Sequence, residues 1–156
     1  MDIYLLRHAE AEEQRPGRPD GERELTEKGR RQSRRAAEWL KAQGMELEAI
    51  ISSPLIRAVQ TAQPVAEALG KAIVTDKRLA GLRLTAESVR DIAREYGVSE
   101  SILLVGHEPD MGDLIRELTK GQVEVKKAAL ALVSCDTVAA GRGVLAWLVP
   151  SKMQGS

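Results

Sequence analysis

Short unbroken apolar runs alternate along this chain with longer stretches in which apolar residues recur every three or four positions. The first signature belongs to strands buried on both faces, the second to helices with one buried side. Runs at residues 3–6, 49–51, 72–75 and 102–105 predict four strands, the last being the strongest. Between them lie four helical patterns. One starts at the N-cap Thr26, turns Ala37 and Leu40 inward and stops before Gly44. The next has Leu55, Ala58, Val59, Ala62, Ala66 and Leu69 on its inner face and Gly70 at its end. The turn Ser52, Ser53, Pro54 precedes it, with Pro54 at the first helical position, and Pro64 inside it predicts a local kink rather than a break. A third helix over residues 86–96 is capped by Thr85 and buries Val89, Ile92, Ala93 and Tyr96. Pro109 opens a fourth, with Met111, Leu114, Ile115 and Leu118 inward. Residues 129–133 and 144–149 read as an antiparallel pair joined by a turn containing glycine.

Two segments escape both periods. Residues 10–24 are rich in Glu, Arg, Pro and Gly and predict a long exposed loop, a length that in a compact domain often marks function. Residues 151–156 predict a tail. Strands alternating with helices argue for an α/β fold of three layers, α/β/α, around a mostly parallel mixed sheet of about six strands. Residues 1–150 then form a single domain, since 156 residues bury one core comfortably and two only with difficulty.

Composition narrows the function classes. With 43% hydrophobic and 29% charged residues the chain is globular, and no stretch approaches a membrane span. Positive and negative residues balance at 23 each and phenylalanine is absent, so neither a charged field nor stacking platforms speak for nucleic acid. A single cysteine, Cys135, forms no internal disulfide, and the amino terminus runs straight into a strand without a signal-peptide pattern. A cytoplasmic protein is the expectation, with no membrane and no nucleic-acid partner.

Chemistry gathers at strand ends. Arg7 and His8 follow the first strand, Ser52 and Ser53 the second, and Gly106, His107 and Glu108 the fourth. In open α/β sheets the site lies beyond the carboxyl ends of the strands, so the two histidines share a rim. Arg57 falls in the first turn of a helix, whose free N–H groups and positive dipole end suit an anion. Two guanidinium groups, two imidazoles and two helix ends fit one tetrahedral dianion, and an arginine fork matches phosphate oxygens better than lysine does.

The motifs carrying these residues resemble the histidine phosphatases, the phosphoglycerate mutase-like superfamily. Arg7, His8, Ala9 match its Arg-His-Gly triplet, with alanine where glycine is usual. Leu25, Thr26, Gly29 and Gln32 match its Leu-Thr-x-x-Gly-x-x-Gln block. Ser52 through Arg57 to Ala62 match Ser-Ser-Pro-x-x-Arg-Ala-x-Gln-Thr-Ala, and Gly106 to Pro109 the final block. The resemblance extends in order from residue 2 to at least residue 118. The short span between Arg57 and His107 leaves no room for a large lid subdomain, which makes the chain most similar to the SixA-type phosphohistidine phosphatases.

What this resemblance implies is a hydrolase acting through a phosphohistidine intermediate on His8, with Arg7, Arg57, His107 and Glu108 binding the phosphate. The implied substrate is a histidine-phosphorylated protein of a phosphorelay. A small phosphomonoester is the alternative, and a non-catalytic phosphate-binding module a second. Many relatives carry a glutamate as general acid after the third strand, where this chain reads Leu79, Ala80, Gly81, Leu82, Arg83. Replacement proton donors are sought among Glu10, Glu12, Asp20 and Glu22. A departing imidazole is a weak base and needs less help than an alkoxide, so the missing acid is tolerable for P–N cleavage.

Plainer readings compete. Glu10, Glu12 and Glu13 beside His8 invite metal ligation, but two histidines and irregular spacing argue against it, and neither metal nor cofactor is expected. Arg30, Arg31, Arg34 and Arg35 read as a solvated helix face before a docking patch. Ser52 and Ser53 fit turn formation better than nucleophilic attack, and Cys135 reads as core.

Overall fold

In a computed structural model, which describes residues 1–155, the apolar runs pair into one six-stranded sheet. The strands are β1 (Asp2–Arg7), β2 (Ala49–Ser52), β3 (Ile73–Thr75), β4 (Ser101–Gly106), β5 (Leu130–Cys135) and β6 (Gly143–Val149). Their order is β3-β2-β4-β1-β5-β6. The first four strands run parallel, while β5 lies antiparallel to β1 and β6 antiparallel to β5. Alternate residues of β1 feed two separate cores. Ile3 and Leu5 join the helices α3 (Ala86–Glu95) and α4 (Asp110–Thr119) on one face. Tyr4 and Leu6 join α1 (Glu27–Ala42) and α2 (Ile56–Leu69) on the other. That division makes the α/β/α sandwich, since a strand's side chains alternate faces.

Local chemistry sets the helix ends. Thr26 caps α1 by accepting from the Gly29 N–H at 3.1 Å, and Thr85 with Ser88 closes a reciprocal capping box on α3. Gly70 ends α2 in the left-handed region at φ 65°. Helix α2 runs on through Pro64.

Several expectations need correction. Pro54 lies outside α2, whose N-cap is Leu55; Ser53 Oγ takes the Leu55 N–H at 3.2 Å, so the serine turn occupies the place given to the proline. The buried face of α2 is Arg57, Ala58, Thr61, Ala62, Val65 and Ala66, with Leu55, Val59 and Leu69 only half-buried. Pro109 sits at the N-cap of α4, one residue before the helix. Tyr96 is exposed because its hydroxyl donates to Asp76 Oδ2 at 3.0 Å. Residues 151–154 pack instead of trailing: Ser151–Met153 form a 3-10 turn, and buried Gln154 donates to the carbonyls of Ala128 (2.8 Å) and Val149 (3.0 Å). Residue 156 of the expected tail lies outside the described residues. Among the described residues no helix is long and apolar enough to cross a membrane.

Candidate active site

Parallel pairing of β1 with β4 places Arg7 opposite Gly106, so the next residues, His8 and His107, leave the sheet side by side. His8 N–H donates to the Gly106 carbonyl at 2.9 Å, which extends the ladder one step into the site. The two imidazole centroids are 5.2 Å apart, about one inter-strand spacing, with the rings tilted 53°. On the other side of β4, Ser53 N–H donates to the Val105 carbonyl at 2.9 Å and begins the turn that delivers Arg57 in the first turn of α2. His8, His107 and Arg57 are all buried, and Arg7 is half-buried.

Each ring has one nitrogen committed. His8 Nδ1 lies 2.7 Å from the Ala9 carbonyl oxygen, an acceptor only, so Nδ1 carries the proton and Nε2 keeps its lone pair. His107 Nε2 lies 2.8 Å from Ser53 Oγ, whereas its Nδ1 is buried without a protein partner. Ser53 Oγ accepts from Leu55 N–H and still has its proton available for Nε2; in that arrangement the ring proton of His107 sits on Nδ1.

Burial is the main reason both imidazoles resist protonation. It pushes His8 down to about 3, against the pull of the Ala9 carbonyl and with help from the charges of His107, Arg57 and Arg7. It pushes His107 down to about 4, aided by Arg57 and Arg7 and opposed by Asp20. At neutral pH the free site therefore holds two uncharged rings between two guanidinium groups. Arg7 and Arg57 each have a buried Nε without a partner, so with His107 Nδ1 three nitrogens in this cup lack an acceptor. Unpaired buried donors cost about 1–3 kcal/mol each, a deficit that an oxyanion relieves.

The surrounding shell was only partly expected. Thr61 Oγ1 accepts from Ala9 N–H at 3.0 Å and donates to the Arg57 carbonyl at 2.7 Å, tying the exit of β1 to α2. Gln32 Oε1 accepts from Glu10 N–H at 2.9 Å, and Gln60 Oε1 from Leu25 N–H at 2.8 Å, so both ends of the long loop are fixed. Gly29 is required by contact: a Cβ there would overlap the Glu10 carbonyl. Ser53, Thr61, Gln32 and Gln60 all fall in the quoted motifs, so their positions were signalled but their bonds were not.

The proposed proton donors separate. Asp20, at the start of the short 3-10 turn Asp20–Glu22, meets Arg57: Oδ2 lies 3.1 Å from Nη2, and its carbonyl accepts from Nη1 at 3.0 Å. Burial would raise the Asp20 carboxyl, but Arg57 and Arg23 overcome that and hold it below the usual range. Glu10 instead accepts from the Thr26 hydroxyl at 2.8 Å. Glu12 takes Glu24 N–H and pairs with Arg15 and Arg18, and Glu22 makes no ion pair within the described residues. Glu108 departs from its expected role. Its carboxylate accepts from Gly112 N–H at 2.6 Å and Val125 N–H at 3.4 Å, a brace between α4 and the segment before β5. An acceptor-only group so engaged offers nothing to a phosphate but repulsion. Of the four arginines on α1, Arg30, Arg31 and Arg34 are exposed as a solvated face, whereas Arg35 is half-buried and donates to the Ser151 carbonyl at 3.4 Å.

Comparison with known proteins agrees with this geometry. Residues 3–86 match the family model of the histidine phosphatase superfamily (branch 1). The phosphohistidine phosphatase SixA of Escherichia coli (strain K12) is 30% identical, over 94% of this chain and 92% of its own length. An uncharacterized protein of Picosynechococcus sp. is 33% identical over 83% of this chain and 82% of its own. Among solved structures, the protein histidine phosphatase SixA complexed with tungstate superposes with a TM-score of 0.81 at 29% identity, covering 97% of this chain and 98% of that one.

Proposed function

Because this chain belongs to the histidine phosphatase superfamily and is a phosphatase of that family, we propose that it removes phosphate from a histidine-phosphorylated protein through a phosphohistidine formed on His8. The observation that carries the proposal is the committed Nδ1 of His8. With that nitrogen donating to Ala9 and the ring uncharged, Nε2 holds an available lone pair inside a ring of cations.

In the first step Nε2 forms a bond to phosphorus while the bond from phosphorus to the substrate imidazole breaks in line. The departing nitrogen takes up a proton. In the second step water attacks phosphorus and returns a proton to the acid that protonated the leaving nitrogen, the bond to His8 breaks, and phosphate leaves with the neutral ring restored. Arg7, Arg57 and the Nδ1–H of His107 hold the equatorial oxygens, supplying the positive charge that phosphoryl transfer requires without a metal ion. A bound dianion beside Asp20 draws Arg57 away and adds like charge, and both effects raise the Asp20 carboxyl toward a proton-donating range. That makes Asp20 the best placed of the four acids.

A protein substrate is supported by the form of the rim. The segment after β3 carries no enclosing insertion: Gly81 approaches the His107 ring and Leu82 beyond it is exposed. An open rim admits an imidazole projecting from a protein surface, whereas a small ester gains from being enclosed.

The test compares turnover of a histidine-phosphorylated phosphotransfer domain with that of a panel of phosphate esters, beside His8→Ala. The proposal expects preference for the domain, an acid-labile phosphoenzyme, and loss of both in the variant. Strong preference for esters would transfer the chain to small-molecule substrates. Absence of any phosphate release or phosphoenzyme would leave a binding module.

A further inference from the structure

A second cavity adjoins the phosphate cup. It measures about 570 Å³ and is lined by Arg7 together with Lys126, Lys127, Lys152, Ser151 and Glu124. Arg7 belongs to both spaces: its charge bears on both imidazoles, and its side chain forms part of this wall. The wall is fixed to the catalytic strand by backbone bonds. Arg7 Nη1 donates to the Val125 carbonyl at 3.1 Å, and Ala128 N–H reaches the carbonyls of Arg7 (3.1 Å) and His8 (3.2 Å). To do so Ala128 adopts φ 59°, the left-handed region that a residue with a Cβ rarely occupies. Gln154 clamps the opposite wall onto the Ala128 carbonyl.

The charge of this cavity is unusual for the chain. The molecule as a whole is neutral, yet here three lysines and Arg7 face one glutamate. A polar group in the same wall has nothing to bind: Ser151 is 8% exposed, and its Oγ is buried without a partner. A hydroxyl that could donate, three ammonium groups and a guanidinium describe a receptor for a carboxylate. Lys126, Lys127 and Lys152 are all exposed, so their charges extend outward to a macromolecular surface.

Resting on the phosphohistidine reading, we propose that this cavity is a specificity subsite that takes an acidic side chain of the phosphorylated protein, carried about one helical turn from its phosphohistidine. Residues three or four apart on a helix have Cβ atoms about 5–6 Å apart, a separation suited to two anion sites sharing one arginine. The subsite selects the partner and leaves the chemistry to the cup.

The experiment measures kcat and KM near physiological salt for a histidine-phosphorylated helical domain with glutamate one turn from the phosphohistidine, for its Glu→Gln form, and for phosphoimidazole. The enzymes are the full chain, its K126A/K127A/K152A variant, and Ser151→Ala, which removes a hydroxyl that has no partner to lose. For the triple variant, kcat/KM on the acidic domain should fall about ten-fold, mainly through KM. Phosphoimidazole should change by less than about two-fold, since it carries no second anion to enter the subsite and exposed lysines act only weakly through solvent. The Glu→Gln domain should already be slow with the unaltered enzyme and indifferent to the lysines. Ser151→Ala should shift KM in the same direction by a smaller factor.

The subsite is overturned if the acidic and neutral domains lose equally, if neither responds, or if the lysines matter only for a phosphate ester bearing its own carboxylate. Failure of the underlying reading looks different: the unaltered enzyme would then turn over neither domain nor phosphoimidazole, and the subsite as stated would fall with it.

Discussion

Ser53 Oγ lies 2.8 Å from His107 Nε2, and both residues are buried. Through this contact a turn residue is the partner of one ring nitrogen and bears on which of the two carries the proton. Leu55 N–H occupies one lone pair of the hydroxyl; with the hydroxyl proton given to Nε2, Nδ1 carries the ring proton and is the donor. Replacing Ser53 by alanine should lower turnover about ten-fold, because Nε2 is left without a partner and the tautomer is no longer fixed. Steady-state kinetics read beside the unfolding midpoint checks this. A drop in stability with unchanged kcat would assign Ser53 to the fold alone.

Both imidazoles have pKa values below the ordinary 6.5, at about 3 for His8 and about 4 for His107. The unfolded chain takes up these two protons near pH 6.5, while the folded chain refuses them until the pH is much lower. Stability should therefore be fully present above pH 6.5 and decline as pH falls toward about 4, by at most about 1.4 kcal/mol per pH unit for each ring. Urea unfolding between pH 7.5 and 4.5 measures the slope, which should flatten when both histidines are replaced by asparagine.

A glycine inside a helix is ordinarily a weakness worth about 1 kcal/mol relative to alanine. At Gly29 the sign should reverse. A Cβ there collides with the Glu10 carbonyl, backbone that is itself held by Thr26 N–H at 3.0 Å. Gly29→Ala should cost about 3 kcal/mol in chemical denaturation, as α1 is forced away from the loop that leads from His8.

Asp20 occupies Arg57 in the free protein, with Oδ2 at 3.1 Å from Nη2. Asp20→Asn removes a competitor for the guanidinium, so inorganic phosphate should inhibit at about three-fold lower concentration. The same change removes the proposed acid, so ester hydrolysis should slow more than cleavage of phosphoimidazole. If the two substrates slow equally, proton donation belongs to another group.

Gln154 reaches across from the end of the chain to the carbonyls of Ala128 and Val149. Gln154→Ala leaves both acceptors short of a donor in a buried place and should cost about 1–3 kcal/mol, measured by thermal or urea unfolding.

The sequence made the sheet and the chemistry legible for different reasons. Strands β1 and β4 are apolar on both faces, a pattern that survives any choice of partner, and their ends carry the only two histidines. The arginines were legible because the blocks around Arg7 and Arg57 are specific in residue and spacing. Less visible were features decided by contacts across the chain. Tyr96 looks like core by its period, but the Asp76 carboxylate, held well below its usual range at about 2 chiefly by Arg78, draws its hydroxyl outward. Glu108 directly follows His107 in sequence, yet two backbone N–H groups claim it. Residues 151–154 carry no periodic signal because what holds them is one amide side chain and a turn.

The pairing of Arg7 with Gly106 has a consequence for how such a molecule is paced. Both imidazoles inherit their separation from adjacent rungs of a hydrogen-bonded ladder, the stiffest part of the architecture. The two imidazoles therefore need no hinge to meet, and the rearrangement left to binding is that of Arg57, which is engaged by Asp20 in the free protein.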